Sequence, residues 1–219
     1  MKPKILTSSL IVAAALIAGP VDAGWRGGGW RQGGEAVVTA VQAPLSAEET
    51  ATLRYMREEE KMARDVYLTL ADLWEHPVFI NIARSEQRHL DAVGRLIEAY
   101  GVPDPVVDDS VGAFENQRLA ELYRRLIDEG SLSLEAALQA GAYIEEIDIL
   151  DLEEDIASSS RPDLVRVYEN LLRASRNHLR IFVRLLENRG IVYEPQALDS
   201  AAFSAIVDSP MERGGRRFR

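Results

Sequence analysis

The 219 residues contain no cysteine. That absence excludes disulfides, thiolate metal sites, iron–sulfur clusters and a cysteine nucleophile, so any metal chemistry has to rest on carboxylates and imidazoles. Imidazole is itself scarce, with only His76, His89 and His178 available. No phosphate-cradling glycine loop and no nucleophile triad offers another chemistry. Basic residues are outnumbered, 25 Lys and Arg against 35 Asp and Glu, giving a net charge of −10. This balance argues against nucleic acid as a partner, because phosphate binding relies on clustered Lys and Arg. The exception, Arg213, Arg216, Arg217 and Arg219, reads as a solvated basic tail. Beyond the N-terminal residues no apolar run is long enough to span a bilayer, and no segment has the pattern of a strand.

The N-terminus does carry a signal. Lys2 and Lys4 precede an apolar run from Ile5 to Gly19, and Val21-Asp22-Ala23 offers small residues where a signal peptidase reads. Residues 1–23 are therefore expected to be a cleaved signal peptide, which makes the mature protein periplasmic or secreted, without stable membrane insertion. No Cys follows the run, so a lipid-anchored lipoprotein is excluded. Residues 24–45 open with Gly24-Trp25-Arg26-Gly27-Gly28-Gly29 and read as a flexible linker. A helical domain is expected over 46–196, followed by a C-terminal extension, 197–219, that ends in the basic tail.

Ser46, with Glu49 three residues on, forms a capping box and starts a helix that runs to about Trp74. His76-Pro77 breaks it, and a second helix runs from about Val78 to Tyr100, where Gly101, Pro103 and Pro105 stop it. A short amphipathic helix is expected from Phe114 to Glu129. Ser133 caps the next, which extends to about Asp155, and Pro162 opens a last helix that ends at Gly190. Two tight connections, at Pro77 and Ser159, make two antiparallel hairpins, and the long stretch from Gly101 to Leu132 crosses between them. The expected fold is all-α: a ferritin-like antiparallel four-helix bundle with one long crossover containing an extra short helix.

Each long helix has an apolar stripe interrupted by ligand-type residues. In the first it is Leu53, Met56, Glu60, Ala63, Tyr67 and Leu70; in the second, Ile82, Glu86, His89, Val93 and Leu96. The fourth places Leu138, Gly141, Glu145, Asp148 and Leu152 together, and the last Leu171, Ala174, His178 and Ile181. Charge in a core is costly unless paired or metal-bound. Counted from the hairpin turns, Glu60 falls level with Glu86 and His89, and Glu145 with His178. Each residue taken singly also has a bland reading, such as Glu60 pairing with Arg64 or either His being a satisfied core histidine. Together they match the carboxylate sites of ferritin-like proteins, in which two helices give a Glu and two give Glu-x-x-His. Position 175, where the second Glu is expected, is Ser, and Asp148 is the residue available to supply the oxygen.

Glu58-Glu59-Glu60-Lys61-Met62-Ala63-Arg64-Asp65-Val66-Tyr67, Ser85-Glu86-Gln87-Arg88-His89, Ile144-Glu145-Glu146-Ile147-Asp148 and Ser175-Arg176-Asn177-His178-Leu179 resemble the domain of unknown function 2202 family over about residues 46–196. The Glu60-Lys61-Met62-Ala63-Arg64 segment is similar to the first-helix ligand segment of rubrerythrins. The resemblance implies a di-iron-type bundle but no established reaction, and no rubredoxin domain is present, since that needs Cys. The expectation is one or two metal ions, with iron first and Mn or Zn also suited to the ligands. The expected ligands are Glu60, Glu86 and His89 for a tight position, and Glu145, His178 and Asp148 for a looser one. Tyr67 or Tyr168 is the expected neighbouring group. Oxidation chemistry with dioxygen or peroxide, metal sequestration or delivery, and a metal-free helical module with charges paired to Arg64, Arg88 or Arg176 all remain open readings. Metal ions are the expected partners, and a homo-oligomer is compatible with the bundle.

Overall fold

The computed structural model describes residues 44–213, so the expected signal peptide, nearly all of the linker, and Arg216, Arg217 and Arg219 lie outside the described residues. Those described form six helices and no strand: α1 (Ala47–Trp74), α2 (Pro77–Tyr100), α3 (Gln117–Gly130), α4 (Leu134–Ser158), α5 (Pro162–Glu187) and α6 (Ser200–Val207). None of them is long and apolar enough to cross a membrane.

Local chemistry sets the helix ends. At the start of α1 the Ser46 hydroxyl accepts from the Glu49 N–H at 3.0 Å and Glu49 Oε2 accepts from the Ser46 N–H at 2.9 Å, which closes the capping box. The α1–α2 hairpin turns on Glu75 in the left-handed region (φ 50°), after which His76 caps a helix whose first residue is Pro77. Gly101, at φ 65°, ends α2 in a conformation that a side chain would resist. The starts of α1, α2 and α4 fall at or next to the expected positions. The helix expected from Phe114 begins about one turn later, at Gln117, because Asn116 is the residue that caps it.

α1 packs along α2 and α4 along α5; the two hairpins meet through α1 against α4 and α2 against α5, while α3 lies on both α1 and α4. The core is aliphatic, with Leu53, Met56, Leu70, Val93, Leu138, Leu152, Leu171 and Leu186 buried among aromatic Tyr67, Phe79 and Phe182. Helix α1 departs from simple amphipathicity, since Glu58 through Tyr67 are buried on every side. Its outward face is covered by the crossover. Lys61 is paired with Asp65 at 2.6 Å and donates to the Ser110 carbonyl at 2.8 Å. Arg64 bridges Asp65 and Asp109, both at 2.8 Å. Glu58 accepts from the N–H groups of Glu115 and Asn116 at the threshold of α3.

A second clamp holds the C-terminal part. Buried Glu146 accepts from the N–H groups of Gln196, Ala197 and Leu198 and from the Tyr193 hydroxyl at 2.5 Å. Helix α6, which lies within the stretch expected to be an extension, packs on α5 through Phe203 and Ile206, and Arg180 donates to the Ile206 carbonyl at 2.9 Å. Arg176 and Arg180 both reach Glu212, at 2.6 and 3.0 Å.

Candidate metal centre

Four helices bring their interrupting residues to one place. Glu60 comes from α1, Glu86 and His89 from successive turns of α2, Glu145 from α4 and His178 from α5, each at most 8% exposed. Glu60, Glu86 and His89 each offer one ligand atom within 4.8 Å of the others, and so do Glu86, Glu145 and His178. Glu86 belongs to both groups. His89 Nδ1 lies 2.6 Å from one Glu86 oxygen and His178 Nδ1 2.9 Å from the other, while Glu60 and Glu145 flank the same nitrogens at 3.3 and 3.4 Å. The imidazole rings stack with centroids 5.9 Å apart.

These contacts are close enough for ion pairs yet are not aligned as hydrogen bonds. His89 Nδ1, His178 Nδ1, Glu86 Oε1 and Glu60 Oε1 are buried with no hydrogen-bond partner. Buried polar groups are ordinarily satisfied, and orphaned charged atoms cost on the order of several kcal/mol each. Four such residues, with Glu145 beside them, converge from four helices in an arrangement suited to a cation at their centre.

Electrostatics follow from the geometry. Burial opposes charge on His178, but Glu86 and Glu145 outweigh it and raise its pKa to about 10. Burial likewise works against His89, and Glu86 with Glu60 raises it well above the ordinary value. Glu86 is buried too, yet the two imidazoles hold its carboxyl well below the usual range. Glu60 is pushed up to about 7 by burial against the pull of His89, and Glu145 rises by burial against the pull of His178. No Lys or Arg enters this set. Arg64 is engaged with Asp65 and Asp109, Arg176 with Glu212, and Arg88 donates to the Arg84 carbonyl at 2.8 Å.

The remaining expected residues take other positions. Asp148 stands outside both three-residue groups: its Oδ2 lies within hydrogen-bond distance of the Ser175 hydroxyl, whose one proton is shared with the Leu171 carbonyl, and its Oδ1 has no partner. Ser175 thus fills the place of the missing Glu by holding an aspartate. The first expected set, Glu60, Glu86 and His89, is gathered as one group, while the second gathers Glu145 and His178 with Glu86 in place of Asp148. Tyr67 donates to Glu145 Oε1 at 2.5 Å and so fixes that carboxylate. The Tyr168 hydroxyl is buried without a partner, nearer Thr52 and Asp155 than the centre. Glu146, next to Glu145 in the chain, belongs to the C-terminal clamp. Glu59, the neighbour of Glu60 that a one-residue shift of register would put in its place, is also buried, 2% exposed with both oxygens unpartnered. Its signal was the run Glu58-Glu59-Glu60, whose members project about 100° apart around α1.

Helices on four sides of a buried carboxylate–imidazole cluster define the class: an all-helical protein with a metal-ligand type of core. The chain belongs to the family described as Uncharacterized protein domain (DUF2202), whose model matches residues 49–210. It is 48% identical over 183 residues to the uncharacterized protein MJ0754 of Methanocaldococcus jannaschii, spanning 84% of this chain and 99% of that one. The crystal structure of the hypothetical protein MJ0754 from the same organism is similar with a TM-score of 0.76 at 49% identity, covering 78% of this chain and 98% of that chain.

Proposed function

We propose that this is an exported, ferritin-like metal-binding protein whose four long helices form a bundle around a carboxylate/histidine site, with Glu60, Glu86, His89, Glu145 and His178 as ligands and one or two iron ions as the expected occupants. The observation that carries the reading is the set of unpartnered buried nitrogens and oxygens around Glu86, with no Lys or Arg among the described residues paired to them. A metal-free module with charges paired to Arg64, Arg88 or Arg176 is disfavoured, because each of those guanidinium groups is engaged elsewhere. The two-hairpin connectivity with a long crossover supports the ferritin-like assignment. Mixed oxygen and nitrogen ligation suits iron and manganese and admits zinc.

Glu86 would serve both ligand groups, since its two oxygens face different histidines. Tyr67 holds Glu145 in orientation through its hydroxyl. In the metal-free chain His89 and His178 carry protons that a bound cation must displace, so affinity rises with pH. Bound iron would supply redox chemistry toward dioxygen or peroxide; the same ligands without turnover would serve sequestration or delivery. Metal analysis of tag-free protein, paired with Glu86→Ala and His89→Ala, tests the site. The expected result is stoichiometric metal in the wild type, lost from both variants with far-ultraviolet circular dichroism unchanged. Metal retained at the wild-type level in both variants would refute the assignment. Oxygen- or peroxide-dependent oxidation of bound Fe(II) separates the reactive reading from storage.

A further inference from the structure

A groove of about 380 Å³ opens between α1 and α4, lined by Thr52, Tyr55, Arg118, Asp151, Glu154 and Asp155 among others. Three of these are carboxylates and one is a cation. The antiparallel contact of the two helices sets the residues in a ladder, with Thr52 near the level of Asp155, Tyr55 near Asp151 and Glu59 near Asp148. Thr52, Tyr55 and Glu59 follow i, i+3, i+7 along α1, and Asp148, Asp151 and Asp155 do so along α4, so each set occupies one helix face. The outer rungs are half-buried, apart from Asp155, which is buried. The inner rung, Glu59 and Asp148, is 2% and 6% exposed, and Asp148 borders Glu60 and Glu145 of the centre.

The inner rung is unsatisfied. Neither Glu59 oxygen has a hydrogen-bond partner, and Asp148 Oδ1 has none. The Tyr55 hydroxyl approaches both Glu59 and Asp151, and the charged groups that act on the Glu59 carboxyl are Asp148, Asp151 and Glu60, all acidic, with no cation among them. A carboxylate this deep, beside a second unpartnered oxygen and next to the Asp151 that lines the groove, is an arrangement suited to a cation.

We propose that Glu59, Asp148 and Asp151 form an outer divalent-cation position through which metal passes from the α1–α4 groove to the core ligands. This rests on the metal-centre reading of the core. The three residues are not gathered as the core groups are, and an all-oxygen set of this kind binds more weakly than one containing imidazole, as a transit position requires. Asp151 and Glu154 draw the ion in, Glu59 and Asp148 strip part of its water, and Glu60 receives it. Ser175 keeps one Asp148 oxygen engaged and leaves the other free.

The test uses Co(II) as probe, with uptake followed by stopped flow against an indicator dye and core occupancy by equilibrium dialysis at saturation. Glu59→Gln and Asp151→Asn are the variants. The first replaces an unpaired buried acid by its neutral isostere and the second lies at the groove surface, so neither threatens the fold, which circular dichroism checks. Both should take up Co(II) about tenfold more slowly than the wild type and with weaker salt dependence, because charge-lined clefts accelerate counter-ion capture by at least that much, while core cobalt at saturation is unchanged. Uptake by both variants at the wild-type rate would overturn the proposal and leave the core reading intact. Loss of core cobalt from Glu59→Gln would also overturn it, by making Glu59 a core ligand. Failure of the core reading shows separately, as wild-type protein that holds no Co(II) at saturation.

Discussion

Replacing Glu86 by Gln removes the anion that lies between two buried imidazoles while keeping the shape of the side chain. In the metal-free wild type, His178 is raised from 6.5 to about 10 by Glu86 and Glu145 against the cost of burial. A shift of that size corresponds to on the order of 5 kcal/mol of preference for the charged ring. The sign of the stability effect follows: this contribution is fully present below pH 6.5 and is lost as the pH rises through about 10. Glu86 heads the charges that raise both rings, so Glu86→Gln should bring both down toward an ordinary histidine titration at about pH 7. The alkaline limit of stability should move down with them. Proton NMR of the ring protons reads this directly, because the chain has only three histidines. His76, held below 6.5 by partial burial and by Arg189, serves as the internal standard. Chelator-treated wild type should show one histidine titrating in acid and two still charged well above neutrality. Three histidines titrating together near pH 6.5 in the wild type, or no change on Glu86→Gln, would refute the electrostatic account.

Two further outcomes concern the frame around the site. A Cβ at Gly141 would lie 2.5 Å from the Phe182 ring, and Phe182 stacks on Tyr67 at 5.6 Å; Gly141→Ala should therefore destabilise by about 1–3 kcal/mol through overpacking. Thermal melts should show a loss of several degrees that Phe182→Leu partly restores, and an unchanged melting temperature would contradict the close packing of α4 on α5. Glu146→Gln weakens the bonds accepted from three backbone N–H groups and a hydroxyl and should cost about 2–3 kcal/mol. Faster amide hydrogen exchange confined to residues 191–207 is the signature, with wild-type protection there as the refuting result.

Much of the framework could be read from residues whose chemistry is local. Ser46 with Glu49, Pro77 and Ser133 announce helix starts because capping needs only near neighbours, and Glu86-x-x-His89 announces a shared face because helical spacing is fixed. The level of Glu60 against His89, and of Glu145 against His178, followed from counting along antiparallel helices and agrees with separations of 3.3 and 3.4 Å. Longer-range facts were not available. Nothing in the spacing of Lys61, Arg64 and Asp65 says that a crossover will cover them, since exposed helix faces carry the same charges. That Glu86 faces both histidines depends on how one hairpin docks on the other, which periodicity within a helix does not encode. Helix α6 was passed over because its eight residues are too few to give a clear period.

The burial of α1 on every side has a consequence for how this chain can vary. Between Glu58 and Asp65 successive residues serve different clients: Glu58 the threshold of α3, Glu59 the α4 side, Glu60 the centre, and Lys61, Arg64 and Asp65 the crossover. One inserted or deleted residue would turn everything beyond it by about 100°, exchanging all of these assignments together. The segment is keyed like a shaft in a lock and has no partly correct orientation. Drift in this lineage is therefore expected to spare the length of that octad absolutely while side chains on the exposed rim of α2, such as Arg84 and Arg88, change freely.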